Sequence, residues 1–288
     1  MVVGYILAYA AGWLFAVSDV LVRGASKGLS PRDNLLLSLV YGTPLLAALS
    51  LAFGEGAISL EGLAVYSAIG ALHFYLGRLL FYTAVANLGS ASAAIIVSPS
   101  PIIASILAVA LLGEPLTLWQ VLGLTLVAVG VYIAAAEPTG KPLTAGGSKA
   151  AGALAGVGST LIFSFTMVAV RWASGEYGSP LLGATASYTA ALAIVSLTHR
   201  LNPGREAWGK VRYAALAGVA VALAQASRYT ALSLIPVAEA AALISLFPVN
   251  TVIAASLAPW TEEKIRGRHI IAAGLAVVGV VATILGRS

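Results

Sequence analysis

The chain has no cysteine and very little charge. Without cysteine there are no disulfides, no thiol nucleophile and no thiolate metal site. Only three of its 288 residues are histidine, at 73, 199 and 269, too far apart in sequence for a His-Glu-x-x-His zinc helix. A Gly-x-Ser-x-Gly elbow and a phosphate-binding loop are also missing, so the sequence reads as a non-enzyme with no metal and no cofactor. Asp, Glu, Lys and Arg together make up 9% of residues while apolar ones make up 59%. Mean hydropathy is +0.95, outside the range of a soluble domain. Asn, Gln, Met and Cys total eight, a scarcity of thermolabile residues that points weakly to a thermophilic source.

What remains is a series of charge-free apolar runs, at 1–18, 34–54, 62–77, 79–113, 115–136, 150–170, 177–199, 213–227, 240–261 and 269–286. Most match one helical crossing of about 30 Å of hydrocarbon. The 79–113 run is too long for one span and divides at Asn87-Leu88-Gly89-Ser90, giving spans at Gly62–Val85 and Ala91–Leu112. Runs of this length without two-residue alternation exclude a β-barrel. The expected fold is an all-α integral membrane protein of ten transmembrane helices. The first run has no basic residues ahead of it and leads directly to Asp19 and Arg23, so it reads as a retained helix rather than a signal peptide. A net charge of +5 spread over short loops fits membrane topology better than a nucleic-acid surface.

The chain repeats at an offset of 147: Tyr82 to Pro101 returns as Tyr229 to Pro248 with eight of twenty positions identical, among them Tyr82/Tyr229, Thr83/Thr230, Ser98/Ser245 and Pro101/Pro248. Val22-Arg23 and Ser30-Pro31 return as Val170-Arg171 and Ser179-Pro180. The segment Glu137 to Lys149, rich in Gly, Pro and polar residues, is the natural linker, leaving repeats at 1–136 and 150–288. Five spans is an odd number, so the second repeat enters the membrane from the opposite side, an inverted-topology pair. A monomer already contains both members, and a dimer is compatible. Loops after odd-numbered spans hold twelve Lys and Arg, against Arg171 and Arg287 opposite, which places both termini outside.

The stretch LLGEPLTLWQVLGLTLVAVGVYI at 111–133, with Gly113-Glu114, Thr117, Gln120, Gly123 and Gly130, resembles the end of a repeat in the EamA family of the drug/metabolite transporter superfamily. FYTAVANLGSASAAIIVSPSPIIASIL at 81–107 resembles that family's paired third and fourth helices. In the second copy Trp260, Thr261, Glu262 and Glu263 stand where Gly-Glu belongs. The resemblance implies a ten-helix secondary carrier in the plasma membrane, exporting or exchanging amino acids or related metabolites through a central cavity. It also implies cytoplasmic termini, opposite to the loop-charge count. An ion channel or a non-transporting receptor or scaffold is the alternative.

Several residues are candidates for the cavity. Pro101 and Pro248, near the middles of the fourth and ninth spans, remove hydrogen bonds to the carbonyls of Val97 and Ile244, with Ser98 and Ser245 three residues earlier. Tyr75, Arg78 and Tyr82 share a face of the third span by their spacing, and Gln225 and Tyr229 repeat the pattern on the eighth. A deep arginine faces protein or water rather than lipid. His73 stands about 140° from Arg78 on a regular helix and is expected elsewhere in the core. Trp13, Phe163 and Phe165 are candidates for contact with an apolar solute. Asp19 and Glu239 place carboxylates in the spans, which suits proton coupling. Asp19 with Arg78, and Arg228 with Glu239, lie toward opposite faces and form a candidate pair of gates. The arginines suggest a carboxylate-bearing solute. Glu114, beside a Thr117 cap of the fifth span, reads as interfacial structure.

Overall fold

The structure is a computed structural model. It describes all residues except 26–28, 54–55, 89–92, 94–95, 136–147, 202–207, 259–266 and 287–288. Among the described residues it is all-helical with no strand. In chain order the elements are α1 (Val2–Ala25), α2 (Pro31–Ala52), α3 (Leu60–Gly70), a π turn (Ala71–Gly77), α4 (Arg78–Leu88), α5 (Ser100–Leu112) and α6 (Leu118–Ala135). They continue as α7 (Lys149–Tyr177), α8 (Pro180–Thr198), α9 (Trp208–Leu234), α10 (Val237–Ile244), α11 (Phe247–Leu257) and α12 (Gly267–Leu285). Seven stretches are long and apolar enough to cross a membrane, with Val237–Leu257 counted as one, and two shorter apolar helices lie at Ser100–Leu112 and Leu118–Ile133. The more polar α9 is 27 residues long. The expected split at Asn87–Ser90 and most of the linker fall outside the described residues.

Local chemistry explains where the helices begin. Ser30 accepts from the Asp33 N–H at 3.1 Å and donates its own N–H back to Asp33 at 3.2 Å, a capping box followed by Pro31. Ser59 and Ser148 cap α3 and α7 more simply, each side-chain oxygen accepting one N–H, from Gly62 and Ala151. At α6, Thr117 Oγ1 accepts from the Gln120 N–H at 3.2 Å while Gln120 Oε1 accepts from the Thr117 N–H at 3.0 Å. Gly113 ends α5 with φ 66°, the left-handed conformation that favours glycine.

Packing inverts the pattern of a soluble protein. Large apolar residues face outward, with Leu51, Leu197 and Leu257 all about 80% exposed or more, whereas alanine fills much of the interior. Small residues let helices approach closely where lipid supplies no hydrophobic drive. A Cβ on Gly123 would lie 2.4 Å from the Gly279 carbonyl oxygen, and one on Gly279 would lie 2.5 Å from that of Gly123, which locks α6 to α12. Gly70 is tighter still, since its Cβ would stand 2.1 Å from the Ser187 oxygen of α8. Gly152 and Gly156 of α7 meet Leu88 and Ile96, the packing role that their spacing suggests.

Two features differ from a plain set of straight spans. The stretch expected as a regular third helix contains the seven-residue π turn, whose i→i+5 pattern inserts a residue and shifts every face beyond it. The ninth span breaks: α10 ends at Ile244, Ser245 and Leu246 form a turn, and α11 restarts at Phe247. Ser98 and Pro99 form the corresponding turn before α5. Pro101 and Pro248 therefore sit in the first turn of a new segment rather than in the middle of a bent helix, a position where proline's missing N–H costs least.

Candidate functional site

The interior contains a connected set of buried polar groups from four helices. His73 Nδ1 and Thr166 Oγ1 of α7 are 2.7 Å apart, and His73 Nε2 is 3.3 Å from Arg228 Nη1 of α9. Arginine can only donate, so Nε2 is the acceptor and Nδ1–H donates to Thr166, whose hydroxyl in turn donates to the Phe163 carbonyl at 3.1 Å. The His73 ring packs against Phe74 and Phe163 at centroid distances of 4.6 and 4.9 Å. Arg228 is 4% exposed and its guanidinium lies 5.4 Å from the Tyr229 ring centroid. Tyr229 donates to Ser187 Oγ at 3.0 Å, and Ser187 donates to the Tyr66 carbonyl at 2.7 Å.

Arg78 joins from the other side. Its guanidinium stands 5.5 Å from the Phe74 ring, which meets Tyr188 edge-on at 4.6 Å. Arg78 also lies within electrostatic reach of Tyr188, Arg228 and His73. His73 and Arg78, placed on different faces by regular-helix geometry, are therefore neighbours in one cluster. The π turn between Ala71 and Gly77 is the physical reason, and no composition signal announces it. Gln225 is fully buried on the same helix as Arg228. Phe163 lies against His73, in accord with its candidacy, whereas Phe165 is 45% exposed and faces outward.

Tyr75 instead lines a cleft of about 150 Å³ formed with Arg32, Leu35, Leu79, Val195, Thr198 and His199. His199 Nε2 pairs with Asp33 Oδ1 at 2.8 Å beside it. Asp19 is exposed, and both it and Arg78 lie within electrostatic reach of the half-buried Tyr82. Glu239 is completely buried and accepts from the Tyr5 hydroxyl at 2.5 Å. The candidate gate pairing of Arg228 with Glu239 is not seen: Arg228 turns to His73 and Glu239 to Tyr5. Trp13 is half-buried and Ser98 and Ser245 flank the two breaks.

Both breaks face a partner helix. Thr160 Oγ1 of α7 donates to the Ile96 carbonyl at 3.1 Å and Ser164 Oγ to that of Ser100 at 3.1 Å. At the second break a Cβ on Gly12 of α1 would lie 3.2 and 3.3 Å from the carbonyl oxygens of Ile244 and Leu243, and the buried Asn250 side chain is adjacent.

Sequence reasoning underrated Glu114. Its carboxylate accepts from Arg171 Nε at 2.8 Å and from the Val237 N–H at 2.8 Å, which caps α10. Arg171 Nη1 donates to the carbonyls of Leu232 and Ser233 at the end of α9, at 3.1 and 3.0 Å. One residue from the Gly-Glu motif thus joins α7, α9 and α10. The available signal was Arg171, one of two basic residues on the sparsely charged side.

Helices that are apolar outside, with broken segments and a polar interior, define a multi-pass membrane protein. The EamA-like transporter family matches residues 2–136 and 150–285, and the chain belongs to that family. No curated protein matches the chain. A solved crystal structure is similar with a TM-score of 0.81 and 19% identity over 99% of each chain, a likeness of fold.

Proposed function

We propose that the protein is a secondary active carrier that exports or exchanges amino acids or related small metabolites across the plasma membrane by alternating access. Ten spans in two inverted five-helix repeats, at 1–136 and 150–288 with a linker between, form the working unit. The observation that carries this reading is the contrast between the two ends of a buried polar core. Toward one end, Tyr5 meets Glu239 and Glu114 ties Arg171 to Val237. Toward the other, Asp19 is exposed and a cleft opens beside Tyr75, Arg32 and His199. Arg228, His73, Gln225 and Tyr229 lie buried between them. Such an arrangement suits a carrier caught with one gate shut.

Gly12 against the Ile244 carbonyl, and Thr160 against that of Ile96, give each repeat a contact between its own broken span and the other repeat's first helix. This crossed pairing supports inverted repeats that rock about a central site. Protons are the candidate coupling ion, with Glu239 and Asp19 as acceptors. Counterflow in proteoliposomes, with pooled amino acids, sugars, nucleotides and lipophilic cations and with or without a pH gradient, tests the proposal. Saturable exchange of one class supports it; unsaturable ion current or no flux overturns it.

A further inference from the structure

We propose that Arg228 is the anion-binding residue of this core and that its solute is a small monocarboxylate, received on the guanidinium edge formed by Nε and Nη2; the inference deepens the carrier reading and rests on it. Arg228 is 4% exposed, yet only Nη1 is bonded, to His73 at 3.3 Å. Nε and Nη2 are buried and have no hydrogen-bond partner, and they are the two donors of the side-on fork that a carboxylate accepts in parallel. Among the described residues Arg228 takes part in neither of the ion pairs Arg171 with Glu114 and His199 with Asp33. A guanidinium held out of water with two idle donors is costly unless something completes it.

The surroundings select for a planar anionic acceptor. The Tyr188 hydroxyl is fully buried and also without a partner, so a third donor is idle in the same region, within electrostatic reach of Arg228. Arg78 approaches from the Phe74 side and its charge reaches Arg228, so the region around the open edge is cationic. The two parallel donors of one guanidinium edge match the two coplanar oxygens of a carboxylate better than a phosphate dianion. His73 is the positioning residue: by accepting from Nη1 and being held by Thr166, it turns the open edge of Arg228 away from itself. The Tyr229 ring beneath limits the guanidinium's remaining freedom.

The test is thermal unfolding of the purified full-length chain with monocarboxylates from acetate to 3-phenylpropionate, their primary amides, and inorganic phosphate. At least one carboxylate should stabilise the protein where its amide does not. Its affinity should fall about tenfold in Arg228→Lys, which keeps the charge and loses the fork, and about 100-fold in Arg228→Gln. Stabilisation by amides as much as by acids, or by phosphate alone, overturns the proposal. If the Arg228 variants do not fold, the acid-against-amide comparison on the unaltered protein and Tyr188→Phe, expected to weaken the acid about threefold, decides it. Counterflow separates the two claims. Arg228-dependent carboxylate binding without exchange of any solute sinks the carrier reading alone, whereas saturable exchange untouched by Arg228→Lys sinks this one alone.

Discussion

Removing the Glu114 carboxylate, as in Glu114→Ala, should open the end of the bundle where α7, α9 and α10 meet. Glu114 makes two charge-assisted bonds, to Arg171 Nε and to the Val237 N–H, both at 2.8 Å. Loss of a helix cap costs about 1 kcal/mol. The ion pair has side-chain exposures of 28% and 15%, so solvent screens it and about 1 kcal/mol is a fair value. The sum of about 2 kcal/mol corresponds to a change of about 30-fold in the ratio of shut to open forms, at 1.36 kcal/mol per tenfold. The cysteine-free chain makes the assay simple. Ala8, one turn beyond Tyr5 on α1, is 0% exposed, and a cysteine placed there should react slowly with a membrane-impermeant maleimide. With Glu114→Ala the labelling rate should rise about 30-fold, the shift just worked out. Arg171→Met removes the same ion pair together with the bonds to the Leu232 and Ser233 carbonyls but leaves the Val237 cap, so labelling should also rise, and the double variant should rise by less than the product of the two because the pair is lost only once. An unchanged labelling rate together with a lower melting temperature would show the network to be static scaffolding and would refute the reasoning.

Gly70→Ala places a methyl carbon 2.1 Å from the Ser187 carbonyl oxygen, a backbone atom that cannot step aside. The variant should lose about 3 kcal/mol or more, seen as failure to accumulate in the membrane, whereas Gly274→Ala, which meets nothing within 4 Å, should melt like the parent. His73→Phe leaves Arg228 Nη1 and Thr166 Oγ1 without their partner, so unfolding should be easier by about 2 kcal/mol; equal melting temperatures would remove His73 from its positioning role. Pro248→Ala returns an N–H that can reach the Ile244 carbonyl and favours joining α10 to α11. Exchange should slow while the melting point holds or rises, and a faster exchange rate would contradict the idea that the break serves transport.

The repeats and their membrane character were legible because duplication and charge-free runs are properties of pattern, independent of packing. The matched prolines at 101 and 248 located both interruptions, since a missing N–H acts wherever the helix runs. The grouping of side chains was less legible. Equal spacing along a helix assigns Tyr75, Arg78 and Tyr82 to one face, but the π turn from Ala71 to Gly77 sends Tyr75 to the cleft and brings His73 toward Arg228. Depth in the membrane suggests charge pairs, but depth does not fix azimuth. Arg228 and Glu239 illustrate this, as their side chains find His73 and Tyr5 instead. Glu114 was hidden because its partners, Arg171 and Val237, are 57 and 123 residues away.

Duplication makes two breaks alike, but the residues opposite them have diverged in a way that assigns them different work. At the first, the hydroxyls of Thr160 and Ser164, each also bonded within α7, reach the carbonyls of Ile96 and Ser100 on either side of the turn, so α7 supplies donors there. At the second, α1 presents Gly12, which brings its backbone close but offers no donor to Ile244, and Pro248 offers none from four residues on. Asn250 Nδ2 lies 3.7 Å from where a Gly12 Cβ would stand and makes no hydrogen bond. Polar groups left incomplete in an apolar interior favour whatever completes them. The first break therefore reads as a fixed joint. The second, on the repeat that also supplies Arg228 and Gln225, is where binding a solute or shifting α1 has polar groups to gain.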